Sequence, residues 1–366
     1  MAVVAGFQNE ISYKVTGLTA DLTVRAYVPG NSYEIIPVDY DSELVQKLSS
    51  IKGVGAVQQY VVTEGIMQNA EGMQGVMVKG VGADYDWSFV RDHLTQGSIP
   101  VFADTTRSRE IIISRLMANQ LTAAEGDIVN IISVGDNVRR DRFRISGIYD
   151  SGIEEFDSQL VFAHVNTIRR VQQWYETTVD GYEIRIADQS NSGRITSEVT
   201  HVASSAGDYD TSTVRQRYRQ IYDWLDMLDI NTALVIILMF IVAGVNMICA
   251  ILIIVLDSTR MIGVLTSQGM RRWSIQKIFI YRSMYITLIG MLTGNLFGIG
   301  ISLAQQFWAP IKLDASSYMV STVPVFLQWS NVLILDIAIF AGITLLVMLP
   351  TMIISSITPE KSIRFQ

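Results

Sequence analysis

Few side chains in this sequence are of a kind that does chemistry, and none stands at a spacing that assembles a reactive site. The three histidines, His93, His164 and His201, are far apart, and each reads as a structural or surface residue. Cys249 is the single cysteine, which excludes a disulfide framework and any multi-cysteine zinc or iron–sulfur centre. It lies in an apolar run and reads as a packing residue. Glu154, Glu155 and Asp157 follow Ser151-Gly152 and gather three carboxylates; a metal site is conceivable, but a solvated turn is the better reading. Asp336 sits inside an apolar stretch, where a carboxylate is a functional candidate by default. Its place near the start of that stretch also lets it reach the membrane interface. There is no G-x-x-x-x-G-K-[ST] loop, no H-E-x-x-H, no G-x-S-x-G and no C-x-x-C. The expectation is a non-catalytic chain with no metal and no cofactor of its own.

The elements that would position these residues fall into two unlike parts. Of 366 residues 49% are hydrophobic and 17% charged, against about 25% charged in ordinary soluble domains, and the mean hydropathy is +0.29. The net charge of −7 argues against a nucleic-acid partner. Residues 230–366 carry eight basic and four acidic residues, leaving twenty and thirty-one in residues 1–229. An acidic globular domain is therefore joined to an apolar, slightly basic membrane domain.

A bilayer core takes about 20 apolar residues as a helix. Residues 230–256 and 283–307 are uncharged and long enough, and 333–357 carries only Asp336. Between the first two lie Arg260, Arg271, Arg272, Lys277 and Arg282 against one acid, Asp257, and Lys361 and Arg364 follow the third span. The positive-inside rule puts 257–282 and the C-terminus in the cytoplasm, and residues 18–229 on the outer side. Met1–Gly6 is too short for an export signal or a span. The expectation is that residues 1–17 are the end of a truncated first transmembrane helix and its stalk, so that the intact protein has four spans and this chain three complete ones.

Within 18–214 the patterning is α+β. Residues 18–28, 54–67, 75–81, 127–134, 142–149, 159–163, 182–186 and 211–214 read as strands. Residues 41–51, 87–93, 114–121, 165–174 and 193–204 read as helices. Two strand–helix–strand pieces flank a β-rich insertion at about 86–175. Tyr218, Ile221, Tyr222, Leu225 and Leu228 recur at helical spacing, so 215–229 reads as a stalk helix running into the first span.

Residues 257–279, DSTRMIGVLTSQGMRRWSIQKIF, resemble the coupling-helix signature of permeases in the MacB/FtsX/Lol superfamily of ABC transporters. Met261 stands where Glu is usual, and Gln268 where Leu or Met is common. Further segments resemble the lipoprotein-releasing (LolC/LolE) branch: Gly6–Ile11 (GFQNEI); Leu48–Ile66, with Gln59 in place of Pro; Val78–Tyr85 (VKGVGADY); Ile112–Val129; Phe143–Leu160 (FRISGIYDSGIEEFDSQL); and Leu349-Pro350 with 358–365 (TPEKSIRF). One loop departs: in some members a long Pro-containing hook grips a soluble carrier, whereas Gly135–Arg142 (GDNVRRDR) is short.

The resemblance implies an α-helical transmembrane domain plus an extracytoplasmic α+β domain of the MacB periplasmic-core type. It implies a permease subunit in the bacterial cytoplasmic membrane that extracts lipoproteins from the outer leaflet. Its partners would be a cytoplasmic ABC ATPase dimer holding the ATP and Mg, a second permease copy or homologue, the lipoprotein, membrane lipids and, in some systems, a periplasmic carrier. A cytoplasmic coupling helix at about 258–272 would meet the ATPase through Arg260, Met261, Ile262, Gly263, Val264, Leu265, Gly269 and Met270, with Ile262 and Leu265 as apolar knobs. Acyl chains would contact Leu234, Leu238, Met239, Val242 and Val245 of the first span together with Phe7. A MacB-like efflux permease and an FtsX-like regulator of a cell-wall hydrolase are the alternatives.

Overall fold

The computed structural model describes residues 1–28, 36–102, 108–133, 139–314 and 318–351. The chain divides into two compact units. The sheet domain holds residues 9–222 and 313–322; the helical domain holds 1–8, 223–312 and the chain from 323 onward.

The strands are β1 (Leu22–Ala26), β2 (Val38–Asp39), β3 (Val54–Gln68), β4 (Met73–Val81), β5 (Leu94–Gly97), β6 (Glu110–Ser114), β7 (Ile128–Ser133), β8 (Arg139–Tyr149), β9 (Leu160–His164), β10 (Thr178–Val179), β11 (Gly181–Ile186) and β12 (Tyr209–Thr213). The helices of the same domain are α1 (Ala2–Leu18, whose first turns belong to the helical domain), α2 (Ser42–Ser49), α3 (Ser88–Asp92), α4 (Arg115–Gln120), α5 (Glu154–Asp157), α6 (Val165–Gln172), α7 (Ser192–Ala206) and α8 (Val214–Arg217). Asp41 caps α2 by accepting from the backbone N–H of Glu43 at 2.9 Å and of Leu44 at 3.0 Å, as a short-side-chain acceptor does at an N-cap.

Two cores result. In the first, β12, β1, β11 and the start of β3 form an open antiparallel layer. Leu22, Val24, Tyr182 and Ile184 pack against Leu44 and Leu48 of α2 and Ile195, Val199 and Ala203 of α7. In the second, β3 pairs with β4, β4 with β9, β9 with β6, β6 with β8, β8 with β7 and β7 with β3 again. That ring is a closed six-stranded barrel filled by Val61, Met67, Val78, Ile111, Ile113, Phe143, Ile145 and Val161 among others. Closure removes the exposed edges of the strands it contains. The fifteen residues of β3 belong to both cores: its first half pairs with β11, its second half with β7.

The β-rich part therefore begins at β3 rather than at residue 86, because the long β3–β4 hairpin supplies two barrel staves. The strand expected from Leu18 is shorter, since α1 runs to Leu18 and β1 starts at Leu22. β6, reading EIIIS, is a continuous apolar run buried on both sides, which carries no period-2 signal. Of the short loop at 135–142, residues 135–138 lie outside the described residues and 139–142 open β8. Gln59 is a paired residue of β3 whose side-chain oxygen accepts from Arg169 Nη2 at 2.7 Å.

The helical domain is built from the bulk of α9 (Arg219–Asp257), with α10 (Thr259–Ser267), α11 (Arg272–Trp308) and α12 (Trp329–Thr351). Among the described residues three helices are long and apolar enough to cross a membrane: Arg219–Asp257, Trp273–Trp308 and Trp329–Met348. They outrun the expected apolar stretches because polar helical turns continue past them. Residues 352–357 of the third expected span, and the motif at 358–365, lie outside the described residues. α9 meets α12 closely at Gly342, where a Cβ would stand 2.5 Å from the Phe240 ring, the close helix approach that small residues allow in membranes.

Candidate functional site

The basic segment after α9 folds as the sequence suggests, into a separate helix held by a sharp turn. α9 ends where Ser258 N–H is shared between the carbonyls of Ile254 and Val255. α10 closes with Gly269 at φ +82. Gly269 N–H donates to Thr266 O at 3.0 Å and Met270 N–H to Leu265 O at 3.1 Å. This paired arrangement satisfies the last carbonyls and favours glycine at the left-handed position. Arg271 is extended, and α11 begins at once.

Two expected contacts turn inward. Ile262 is 2% exposed in a cluster with Ile251 and Val255 of α9, Ile275 and Phe279 of α11, and Ile343 and Val347 of α12; Leu265 packs against the same cluster. Ile262 cannot be an apolar knob, because burying it is what ties α10 to three neighbouring helices, and Leu265 is half-buried at the edge of the same cluster. The outward face of α10 and its turn carries Arg260, Met261, Val264, Gly269 and Met270, with Val264 52% exposed. Gly263 is buried.

On α9, Leu234, Leu238, Val242 and Val245 lie at three- and four-residue intervals and so share one stripe; with Met239 beside them, each is more than half exposed. Phe7 is not part of that surface. It is buried, its ring edge-on to Trp224 at 6.3 Å. One residue on, Gln8 Nε2 donates to Asp229 Oδ2 at 2.6 Å. Cys249 also departs from expectation: it is exposed on α9 rather than packed within the chain.

Asp336 has a partner on the neighbouring helix. Half-buried on α12, it accepts from Asn295 Nδ2 of α11 at 2.6 Å. The acidic turn is likewise no solvated loop. Glu154 and Glu155 are exposed, but Asp157 is buried and closes the turn between β8 and β9 by accepting from Ser151 Oγ at 2.8 Å and Gly152 N–H at 3.1 Å. Burial pushes its carboxyl up to about 6, against the Ser151 hydrogen bond. Among the described residues no cluster of His, Cys, Asp and Glu could hold a metal. His164, fully buried, caps α6; His93 stacks on Phe89 at 4.1 Å.

A buried polar network escaped the sequence reading. Lys79 of β4 and Glu183 of β11 pair at 2.7 Å, each side chain 5% exposed. Lys79 also donates to Leu18 O at 3.2 Å, and Arg185 Nη2 to Gly17 O at 3.1 Å. Two cations from the sheet thus satisfy carbonyls at the C-terminus of α1, where the helix dipole favours positive charge. Arg217 of α8 donates to Thr23 Oγ1 at 2.7 Å. The available signal was the charge itself: Lys79 and Glu183 sit at inward positions of otherwise apolar strands.

With these elements in place, likeness to known proteins is informative. The family described as the MacB-like periplasmic core domain matches residues 1–202, and the FtsX-like permease C-terminal family matches 233–359. The lipoprotein-releasing system transmembrane protein LolC of Xylella fastidiosa is 21% identical over 386 residues, covering 100% of this chain and 89% of that protein. The macrolide export ATP-binding/permease protein MacB of Agrobacterium fabrum is 25% identical, covering 84% of this chain and 48% of that protein. The solved periplasmic region of MacB from Actinobacillus actinomycetemcomitans is 13% identical, with a TM-score of 0.40, and the match covers 57% of this chain and 95% of that one. The core-domain match takes in more than half of the chain and the permease match most of its helical remainder, so the chain belongs to the MacB/FtsX superfamily of permeases and is of the LolC/LolE type.

Proposed function

We propose that this chain is the permease subunit of a lipoprotein-releasing transporter in the bacterial cytoplasmic membrane, acting with a second permease and a separate cytoplasmic ATPase that holds the ATP and Mg. The observation that carries the reading is the unpartnered stripe of α9, Leu234, Leu238, Met239, Val242 and Val245, in a chain matched from end to end by LolC. Acyl chains need an apolar, conformable wall, and Leu, Val and Met supply one. The ATPase would meet Arg260, Met261, Val264, Gly269 and Met270, while Ile262 and Leu265 pass its movement to α9, α11 and α12.

The sidedness has its own support. α11 leads from α10 to residues 313–322, which belong to the sheet domain. If α11 crosses the bilayer once, the sheet domain and α10 are on opposite sides, as the basic residues around α10 suggest. The stalks, α1 and the start of α9, would then carry closure between them.

Photocrosslinkers at positions 238 and 242 of the assembled transporter test the reading. Crosslinks to a lipoprotein that disappear on ATP binding are expected. Crosslinks to phospholipid alone, indifferent to nucleotide, would overturn it. A second reading, small-molecule export, draws on the MacB match; there the same positions would crosslink to the exported compound and lipoprotein would be absent.

A further inference from the structure

Lys14 of α1 is 8% exposed. Its ammonium has three donors to place, yet among the described residues it makes one hydrogen bond, to Met319 O at 3.1 Å. Met319 stands between α11 and α12 in the chain but belongs to the sheet domain. It takes φ +59, a left-handed conformation that is costly for a residue with a side chain, and Val320 beside it is 3% exposed. The segment rests on the turn between β8 and α5. A Cβ on Gly152 would stand 2.9 Å from Lys14 Nζ and 3.8 Å from Met319 O, so glycine there, at φ +71, leaves room for both.

Carboxylates surround the same ammonium. Gly152 N–H donates to Asp150 Oδ1 at 3.2 Å and to Asp157 Oδ2 at 3.1 Å, so both groups border this spot. Glu10 is one helical turn before Lys14, the order in which a glutamate and a lysine four residues apart pair best. All three attract the ammonium, but none accepts a hydrogen bond from it. Asp150 is engaged by Arg115, and Asp157 by Ser151 and Gly152. The Glu10 carboxylate has no hydrogen bond or ion pair among the described residues. A buried cation thus ends on a single neutral carbonyl while a charged acceptor stands within its reach.

We propose that Lys14 is a reversible clasp: its ammonium holds residues 318–322 on the β8–α5 turn in one arrangement and pairs with Glu10 in the other. When the segment leaves, the ammonium passes to Glu10 and Met319 sheds its left-handed conformation. When it returns, the carbonyl takes the ammonium back. Neither arrangement strands a buried charge, so the two lie close enough in free energy to exchange. The contrast is with Lys79, whose loss leaves Glu183 buried and unpaired. The clasp rests on the sheet domain alone and is independent of what the chain transports.

The test is the rate at which a maleimide labels Val320→Cys in the full chain in nanodiscs, with Cys249→Ala as the background. Labelling of so buried a position requires the segment to leave the turn. Lys14→Met keeps the side chain's length and removes the ammonium, so labelling should quicken about tenfold, the worth of one hydrogen bond to a charged group. Glu10→Gln removes the competing acceptor, so labelling should slow about twofold. A fixed ion pair that only stabilises α1 would instead make both variants faster. In K14M/E10Q the second substitution should add nothing to the first, because Glu10 acts only through the ammonium, and Lys14→Arg should keep labelling slow. Glu10→Gln, at a half-buried position, decides the matter if K14M fails to fold. An unchanged rate in K14M, an unchanged or faster rate in E10Q, or a further change in the double variant would overturn the proposal.

Discussion

Asp157 and Asp180 are buried carboxyls of the sheet domain, and burial pushes each up to about 6. Asp180 Oδ2 accepts from Val62 N–H at 2.5 Å, while its Oδ1 has no partner. The sign of the pH effect follows from proton counts. Between about pH 4 and pH 6 the folded domain holds protons the unfolded chain has released, so its stability falls as pH rises through that window. Asp180→Asn keeps the acceptor for Val62 and cannot ionise. The loss of stability from pH 4 to pH 7 should shrink by roughly 2–3 kcal/mol in D180N, two pH units being worth about that much. Urea unfolding at the two pH values measures it, and an unchanged pH dependence would show that the carboxyl titrates normally. The Lys79–Glu183 pair behaves differently. Lys79→Met strands a buried carboxylate, at a cost of about 3–5 kcal/mol, whereas the double replacement with Met should recover most of that loss. If the double variant is as unstable as the single one, the ends of α1 and the sheet depend on the Lys79 ammonium itself, through Leu18 O.

At the level of elements, α10 separates two roles that helical spacing alone merges. A pattern of Ile262 and Leu265 three residues apart announces an apolar face, but it does not say whether that face looks to a partner chain or back to its own helices. The answer lies in Ile275, Phe279, Ile343 and Val347, contributed by helices that are distant in sequence. Ile262→Ala should therefore lower the stability of the purified protein by about 2–4 kcal/mol, the cost of a core cavity. Val264→Asp should leave the melting temperature near that of the wild type and abolish stimulation of the ATPase. Full ATPase stimulation in V264D would remove the outward face of α10 from the coupling contact.

Across the whole molecule, what could be read in advance was whatever is encoded locally. The spans follow from runs of Leu, Ile and Val, α2 from Asp41 and its four-residue spacing, and β7 and β9 from short apolar runs between turns. The barrel was not legible, because its closure depends on β7 returning to β3, with Gly65–Gln68 opposite Asn130–Ser133, and no local pattern records that pairing. The network around Lys79 and the Asp336–Asn295 pair were missed for a related reason: each joins groups far apart in the chain whose meaning appears only when they meet in a place without water.

The position of β1 has a consequence for how the protein is made. This strand follows directly on α1, yet among the described residues its strand partners are β11 and β12 alone. Everything between, the barrel included, must emerge from the ribosome before residues 181–213 arrive to receive it. The nascent chain therefore carries an unpaired apolar strand for most of its synthesis, a state prone to aggregation. The layer closes only at Thr213, immediately before the turn that leads into α9. Completion of the sheet domain and synthesis of α9 thus fall at nearly the same moment, and a chaperone would find its longest-lived substrate in the segment from Leu22 to Ala26.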